Sequence, residues 1–321
     1  MTDSSITVRV ARKAVEAIDI CSLELVDPSG ALLPAFSAGA HIDVHLPDGL
    51  TRQYSLCNAS GERQRYLLGV LRDPASRGGS SMVHEGVREG DALRISLPKN
   101  HFTLAEDARH SILLAGGIGV TPILCMAERL AAIGASFEMH YCTRSRERTA
   151  FYGRIQESAF SERVKFHFDA GDATQKLDLD ALFASLQPGI HLYVCGPKGF
   201  MDMLLGGARE RGWPEEQLHY EFFANVIAPS VDDAGFQVRL GRSGRLIAVP
   251  ADRTVVAALA EAGIEIPTSC EQGVCGTCLT RVIEGEPDHK DMYLSPDEQA
   301  RNDQFLPCCS RSKSRILVLD L

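Results

Sequence analysis

Ten cysteines carry most of the chemical potential of this 321-residue sequence, and they are unevenly spread. Cys21, Cys57, Cys125, Cys142 and Cys195 show no ligand-like spacing. Cys270, Cys275, Cys278, Cys308 and Cys309 fall within forty residues of one another. The string CEQGVCGTC sets three of them as C-x4-C-x2-C, which with one distant cysteine is the plant-type [2Fe–2S] pattern. Four thiolates must converge on two irons, and a short loop wraps three of them around one side. Gly273 and Gly276 let backbone pass close and aim N–H groups at sulfur. A structural zinc site or buried free thiols are the competing readings. Zinc prefers paired C-x2-C knuckles, and only one is present. The fourth ligand is Cys308 or Cys309. Neighbours on a strand point to opposite faces, so one of the two reaches the iron. The 29 residues between Cys278 and Cys308 match the plant-type interval and select Cys308.

Two further strings suit a nucleotide. AGGIGVTP joins an apolar run, SILLA, to a helical pattern. Gly116, Gly117 and Gly119 permit close backbone approach, Thr121 is expected to cap the helix, and Pro122 suits its first turn. A helix start with free N–H groups favours a pyrophosphate. CGP, at Cys195, Gly196 and Pro197, follows the strand pattern HLYV, at the edge where open α/β sheets bind ligands. After the strand FEMHYC an acidic residue would hold a ribose 2′-hydroxyl. Arg144, Arg146 and Arg148 stand there instead and could welcome a 2′-phosphate, which leaves NADH against NADPH open.

A second pair of strings suits a phosphorylated aromatic group. In RQYSL, Tyr54 offers a flat ring with a polar tip, and Arg52 and Ser55 offer donors. In RGGS, Arg77 beside Gly78, Gly79 and Ser80 can hold a phosphate dianion through its guanidinium and nearby N–H groups. His41, Asp43 and His45 alternate along one strand and share a face; a polar barrel face explains them better than a metal site. Trp213 reads as core or surface filler.

Three kinds of element must position these residues. Residues 1–107 read as β, with short alternating runs separated by turn signals such as DPSG and PDG, hence a barrel. Residues 108–225 alternate strand and helix, hence a doubly wound α/β sheet. A linker is expected over 226–235. Residues 236–321 form a small α+β unit: a hairpin around GRSG, a helix TVVAALAEAG ended by Gly263, and a capping box at Ser295 and Glu298.

Composition narrows the partners. Apolar residues are 45%, charged residues 23%, and the net charge is −9, which argues against nucleic acid. No run of 18 apolar residues offers a membrane span. MTDSSITVRVARK lacks the apolar core of a secretory signal, so reduced thiols and a cytoplasmic location are expected.

RQYSLCN, RGGS, AGGIGVTP, CGP and CEQGVCGTC, in that order along nearly the whole chain, resemble the phthalate dioxygenase reductase family, which includes vanillate O-demethylase reductases. The resemblance implies a flavin-binding β-barrel, an NAD-binding α/β domain and a C-terminal β-grasp ferredoxin domain. It implies that Arg52, Tyr54 and Ser55 contact FMN, that Arg77, Gly79 and Ser80 hold its phosphate, and that Phe223 lies against the flavin. Gly117, Thr121, Cys195, Gly196 and Pro197 would line the nicotinamide nucleotide site, with NADH favoured. Cys195 and Ser55 are the catalytic positions, Cys195 as a neighbour of the nicotinamide and not as a nucleophile. Cys270, Cys275, Cys278 and Cys308 would hold the cluster. The implied function is a reductase component that passes electrons from NADH through FMN and [2Fe–2S] to a terminal Rieske oxygenase, in a transient complex. A stand-alone reductase for small oxidants is the alternative, and a redox-sensing module without turnover is a third. The acidic run EGEPDHKD, 284–291, is expected either to steer the partner or to be a solvated loop.

Overall fold

The computed structural model describes residues 5–74, 78–172, 175–184, 187–223 and 234–321. The chain divides into two compact units, Met1–Phe223 and Ala224–Leu321.

The first unit begins with strands β1 (Ser5–Ala17), β2 (Ile20–Val26), β3 (His41–His45), β4 (Thr51–Ser55) and β5 (Tyr66–Leu71), then helix α1 (Gly79–Glu85) and β6 (Ala92–Ser96). They pair antiparallel in the order β4-β3-β6-β1-β2-β5. The ends of this sheet meet where Leu56 bridges Leu68 and the Cys57 N–H donates to the Leu67 carbonyl at 2.9 Å. Closure removes the free edges of the sheet and makes it a barrel. Period-two patterning fills the interior: Val8 and Val10, Leu23 and Leu25, Ile42 and Val44, and Leu93 and Ile95 are buried in one cluster.

The same unit continues with β7 (His110–Gly116), α2 (Val120–Ala132), β8 (Phe137–Thr143), α3 (Tyr152–Gln156), β9 (Val164–Phe168), α4 (Leu179–Phe183), β10 (Ile190–Cys195), α5 (Lys198–Glu210) and β11 (Leu218–Glu221). The five strands are parallel, in the order β11-β10-β7-β8-β9. The chain leaves β7 toward β8 and later returns to its other side as β10. The switch point therefore lies at the C-terminal ends of β7 and β10, where such sheets open a crevice. SILLA is buried on both faces: Leu113 packs with α2, and Ile112 and Leu114 with α5. Trp213 is core, packed in the α5-side cluster.

Barrel and parallel sheet share a core. Ala17, Ile20 and Leu67 of the barrel strands lie in one cluster with Leu113, Leu124 and Tyr141. A polar seam adds to it: the Ile18 N–H donates to the Glu147 carbonyl at 2.9 Å, and Arg148 pairs with Asp19 at 3.0 Å.

The second unit contains β12 (Phe236–Leu240), β13 (Leu246–Val249), α6 (Val255–Glu261), β14 (Thr280–Glu284), β15 (Pro287–Asp288), α7 (Pro296–Ala300), β16 (Gln304–Phe305), β17 (Arg311–Ser312) and β18 (Ile316–Leu319). Its main sheet runs β13-β12-β18-β14-β16, with β12 parallel to β18 and antiparallel to β13. Helix α6 packs Val255, Ala258 and Leu259 onto it, the arrangement of a β-grasp unit. Thr254 caps α6 through the Ala257 N–H, Gly263 follows it at φ +82°, and the Ser295–Glu298 capping box opens α7. The expected linker, 226–235, lies outside the described residues except for its last two. Helix α1 was not anticipated.

Candidate functional site

At the crevice, glycines let backbone meet backbone. A β-carbon on Gly119 would strike the Cys195 carbonyl and lie 2.7 Å from the Gly196 nitrogen. One on Gly196 would lie 2.9 Å from the Gly116 Cα, and one on Gly116 3.0 Å from Pro197. The AGGIG turn and the CGP turn are thus in contact. Gly117 has φ +52° and open space around it, the geometry of a turn that offers its backbone to a ligand. Thr121 corrects the sequence reading. The helix begins at Val120 after a 3₁₀ turn, Gly117–Gly119, and has no side-chain cap. The Thr121 hydroxyl donates to the Ile118 carbonyl at 3.1 Å instead, because Thr121 sits inside the first turn and faces back along it.

Ser55, last in β4, reaches this crevice from the barrel. Its hydroxyl lies 3.4 Å from the Glu221 carboxylate. Glu221 ends β11 and pairs in register with Cys195. Burial pushes the Glu221 carboxyl up to about 8, and the Ser55 hydroxyl offsets that only in part. The Cys195 thiol is raised well above its ordinary value, first by burial and then by Glu221. Burial thus disfavours the thiolate that a nucleophilic Cys195 would need. Sequence reasoning missed Glu221. Its one signal was a carboxylate ending a strand pattern, LHYEF, at the ligand edge of the sheet.

Of the other barrel residues, Arg52 and Tyr54 share β4 with Ser55, and Gly79 and Ser80 open α1. Arg52 crosses Gly79, where a β-carbon would lie 2.6 Å from its side chain. Burial raises the Tyr54 phenol, and the Ser80 hydroxyl accepts from the Asp73 N–H at 3.1 Å. Arg77 lies outside the described residues. Phe223 packs against the cluster shared by barrel and parallel sheet. Of the three arginines after β8, Arg148 is committed to Asp19 and Arg146 lies 4.7 Å over the Tyr152 ring, while Arg144 is exposed. On β3, Asp43 pairs with Lys99 at 2.7 Å, and the buried His41 ring has no hydrogen-bond partner among the described residues.

In the second unit all five late cysteines are buried. The Cys270 thiol is within hydrogen-bonding reach of those of Cys275 and Cys308, and Cys278 packs in one cluster with Cys308. Gly273 and Gly276 have φ of +72° and +70° and no room for a β-carbon. Among the described residues no group of three His, Cys, Asp or Glu side chains has the geometry of a single-ion site. A two-iron centre holds its thiolates in two pairs on different irons, so its four sulfurs need not surround one point. Convergent buried thiols on a loop of obligatory glycines fit that centre.

The acidic run does not present a free acidic face. Glu284 pairs with Arg239 at 2.8 Å, Glu286 with Lys313 at 2.9 Å and Asp288 with Lys290 at 3.8 Å, and Asp291 is buried. Paired charges steer more weakly than free ones, which favours the solvated-loop reading of 284–291.

A barrel, a doubly wound sheet with its switch-point glycines, and a β-grasp unit with five buried cysteines on one chain define an iron–sulfur oxidoreductase of the flavin- and nicotinamide-dependent class. Sequence comparison is specific: the chain belongs to the phthalate dioxygenase reductase family. The family model "2Fe-2S iron-sulfur cluster binding domain" matches residues 238–313. The chain is 54% identical over 316 residues to vanillate O-demethylase oxidoreductase of Pseudomonas sp. (strain HR199 / DSM 7063), covering 98% of this chain and 100% of the relative. It is 43% identical over 320 residues to phthalate dioxygenase reductase of Burkholderia cepacia. A solved phthalate dioxygenase reductase, described as a modular structure for electron transfer from pyridine nucleotides to [2Fe-2S], superposes with a TM-score of 0.79 over 99% of this chain and 98% of its own.

Proposed function

We propose that this chain is the reductase component of a two-component oxygenase or demethylase, carrying electrons from NADH through FMN and a [2Fe–2S] cluster to a terminal Rieske oxygenase. The observation that carries this reading is end-to-end identity of 54% with a vanillate O-demethylase oxidoreductase. A methoxylated aromatic acid is the class of substrate that the partner would hold. The flavin, when bound, takes electrons in pairs from the nucleotide and yields them singly to the cluster. Arg52, Tyr54 and Ser55 would hold the flavin, with Arg77, Gly79 and Ser80 at its phosphate and Phe223 against it. Gly117, Thr121, Gly196 and Pro197 would line the nucleotide crevice, with Cys195 as a desolvated neutral wall beside it. Cys270, Cys275, Cys278 and Cys308 would ligate the cluster. The contacts of Arg146 with Tyr152 and of Arg148 with Asp19 leave Arg144 of the three arginines for a 2′-phosphate, which favours NADH. The domains would fall at 1–107, 108–225 and 236–321. No helix of the described residues is long and apolar enough to cross a membrane, and a transient complex in the cytoplasm is the setting we infer.

The test is spectroscopic and then kinetic. Protein purified with its chromophores is titrated anaerobically with NADH and, separately, with NADPH. Bleaching of both flavin and iron–sulfur bands by NADH is expected, with demethylation only when a purified oxygenase is added. Rapid reduction of small oxidants with no gain from any oxygenase would support a stand-alone reductase instead.

A further inference from the structure

The last residue of the acidic run has a place that its neighbours do not share. Asp291 is buried, and one carboxylate oxygen accepts from the Leu294 N–H at 2.9 Å. The other accepts from the Ser310 hydroxyl at 3.2 Å and lies 3.4 Å from the His289 Nδ1. Its main-chain carbonyl accepts from the Gln299 amide at 3.3 Å. The next residue, Met292, donates its N–H to the Gly273 carbonyl at 3.0 Å. A β-carbon on Gly273 would lie 3.0 Å from Asp291 and strike the Cys309 sulfur. The turn of the C-x4-C loop is therefore gripped between Asp291 and Cys309. Meanwhile the Asp291 carboxylate reaches Ser310, two residues past Cys308. The segment 291–292 thus meets both halves of the thiol set, through the Met292 N–H and the Asp291 β-carbon at Gly273 and through the Asp291 carboxylate at Ser310.

We propose that Asp291 is the positioning residue that sets the fourth thiolate against the three-cysteine loop, and that its buried negative charge lowers the potential of the two-iron centre. The proposal rests on the ligand assignment above. A carboxylate close to the centre disfavours the added electron, since net charge and local hydrogen bonding set the potentials of such clusters. The hydrogen bonds to Leu294 and Ser310 satisfy the carboxylate where water is excluded. Cys309, the thiol without a ligand role, fills the notch against Gly273.

The experiment uses the full chain with Asp291→Asn and Asp291→Ala. Iron and acid-labile sulfide per flavin are measured after anaerobic reconstitution. The EPR spectrum of the reduced protein and the midpoint potential of the cluster are measured alongside. Asp291→Asn keeps an acceptor for the Leu294 N–H, and its iron and sulfide should match wild type while the midpoint potential moves upward. Asp291→Ala should lose at least half of its iron and sulfide with flavin content unchanged. An alanine variant with wild-type iron, sulfide and EPR signal overturns the clamp, and an asparagine variant with an unmoved potential overturns the role of the charge. Wild-type protein that takes up no iron would sink the ligand assignment itself and this proposal with it.

Discussion

Glu221 and Cys195 are neighbours in one ladder, and both are protonated at neutral pH for the same reason, loss of water. An unfolded glutamate ionises near 4.5, whereas the folded Glu221 carboxyl stays neutral up to about 8. Between those values the unfolded chain binds fewer protons than the folded one, so stability falls as pH rises through the window, and the cost is absent below it. Glu221→Gln should remove that slope. Urea midpoints of the cofactor-free protein at about pH 5 and about pH 8 should differ less in the variant than in wild type. Equal differences would mean that the folded carboxyl is already charged. The arrangement also has a chemical use. A neutral acid within reach of Ser55 would add no negative charge beside a nicotinamide and an isoalloxazine bound as proposed.

At the scale of elements, the turn between β7 and α2 is set by which glycine faces what. A methyl on Gly119 would meet the Cys195 carbonyl, which belongs to a buried strand and cannot step aside. Overpacking of this kind costs about 1–3 kcal/mol. Gly119→Ala should weaken NADH binding about tenfold or more, while flavin content holds. Gly117→Ala meets no atom within 4 Å and has only its φ of +52° to accommodate, so its effect on stability should be near 1 kcal/mol. Thermal unfolding and NADH titration of the two variants give the comparison, and equal losses would argue against the close approach of the two turns. These turns were legible in the sequence because each is a local string: SILLA into AGGIGVTP, HLYV into CGP, CEQGVCGTC on its own loop. What was not legible is non-local or short. Glu221 acquires its character from Ser55, which is 166 residues away. Helix α1 opens with a glycine and runs seven residues, too short and too weak in propensity to show a period. Thr121 looked like a cap because the preceding 3₁₀ turn, which moves the helix start forward, leaves no mark in residue type. The run 284–291 looked acidic because Arg239 and Lys313, which pair with Glu284 and Glu286, lie 45 and 27 residues away in the sequence.

At the scale of the molecule, the cores assort by unit. Among the described residues, the clusters of the first unit are built from residues before 224 and those of the second from residues 236 onward. Each has its own apolar interior, the condition for folding alone. A chain ending at Phe223 should therefore retain flavin and be reduced by NADH, with no iron and no electron delivery to the oxygenase. Absorbance spectra before and after NADH would check this, and loss of flavin on truncation would contradict it. Barrel and parallel sheet stand in a different relation, because Ala17, Ile20 and Leu67 complete the interior against which α2 packs. The consequence is genealogical. A crossover between related genes at the stretch encoding 224–233 would exchange a whole ferredoxin for another and leave every apolar interior intact. A crossover near codon 107 would join half of one shared interior to half of another, so descendants should inherit the barrel and its nucleotide sheet as a single heirloom.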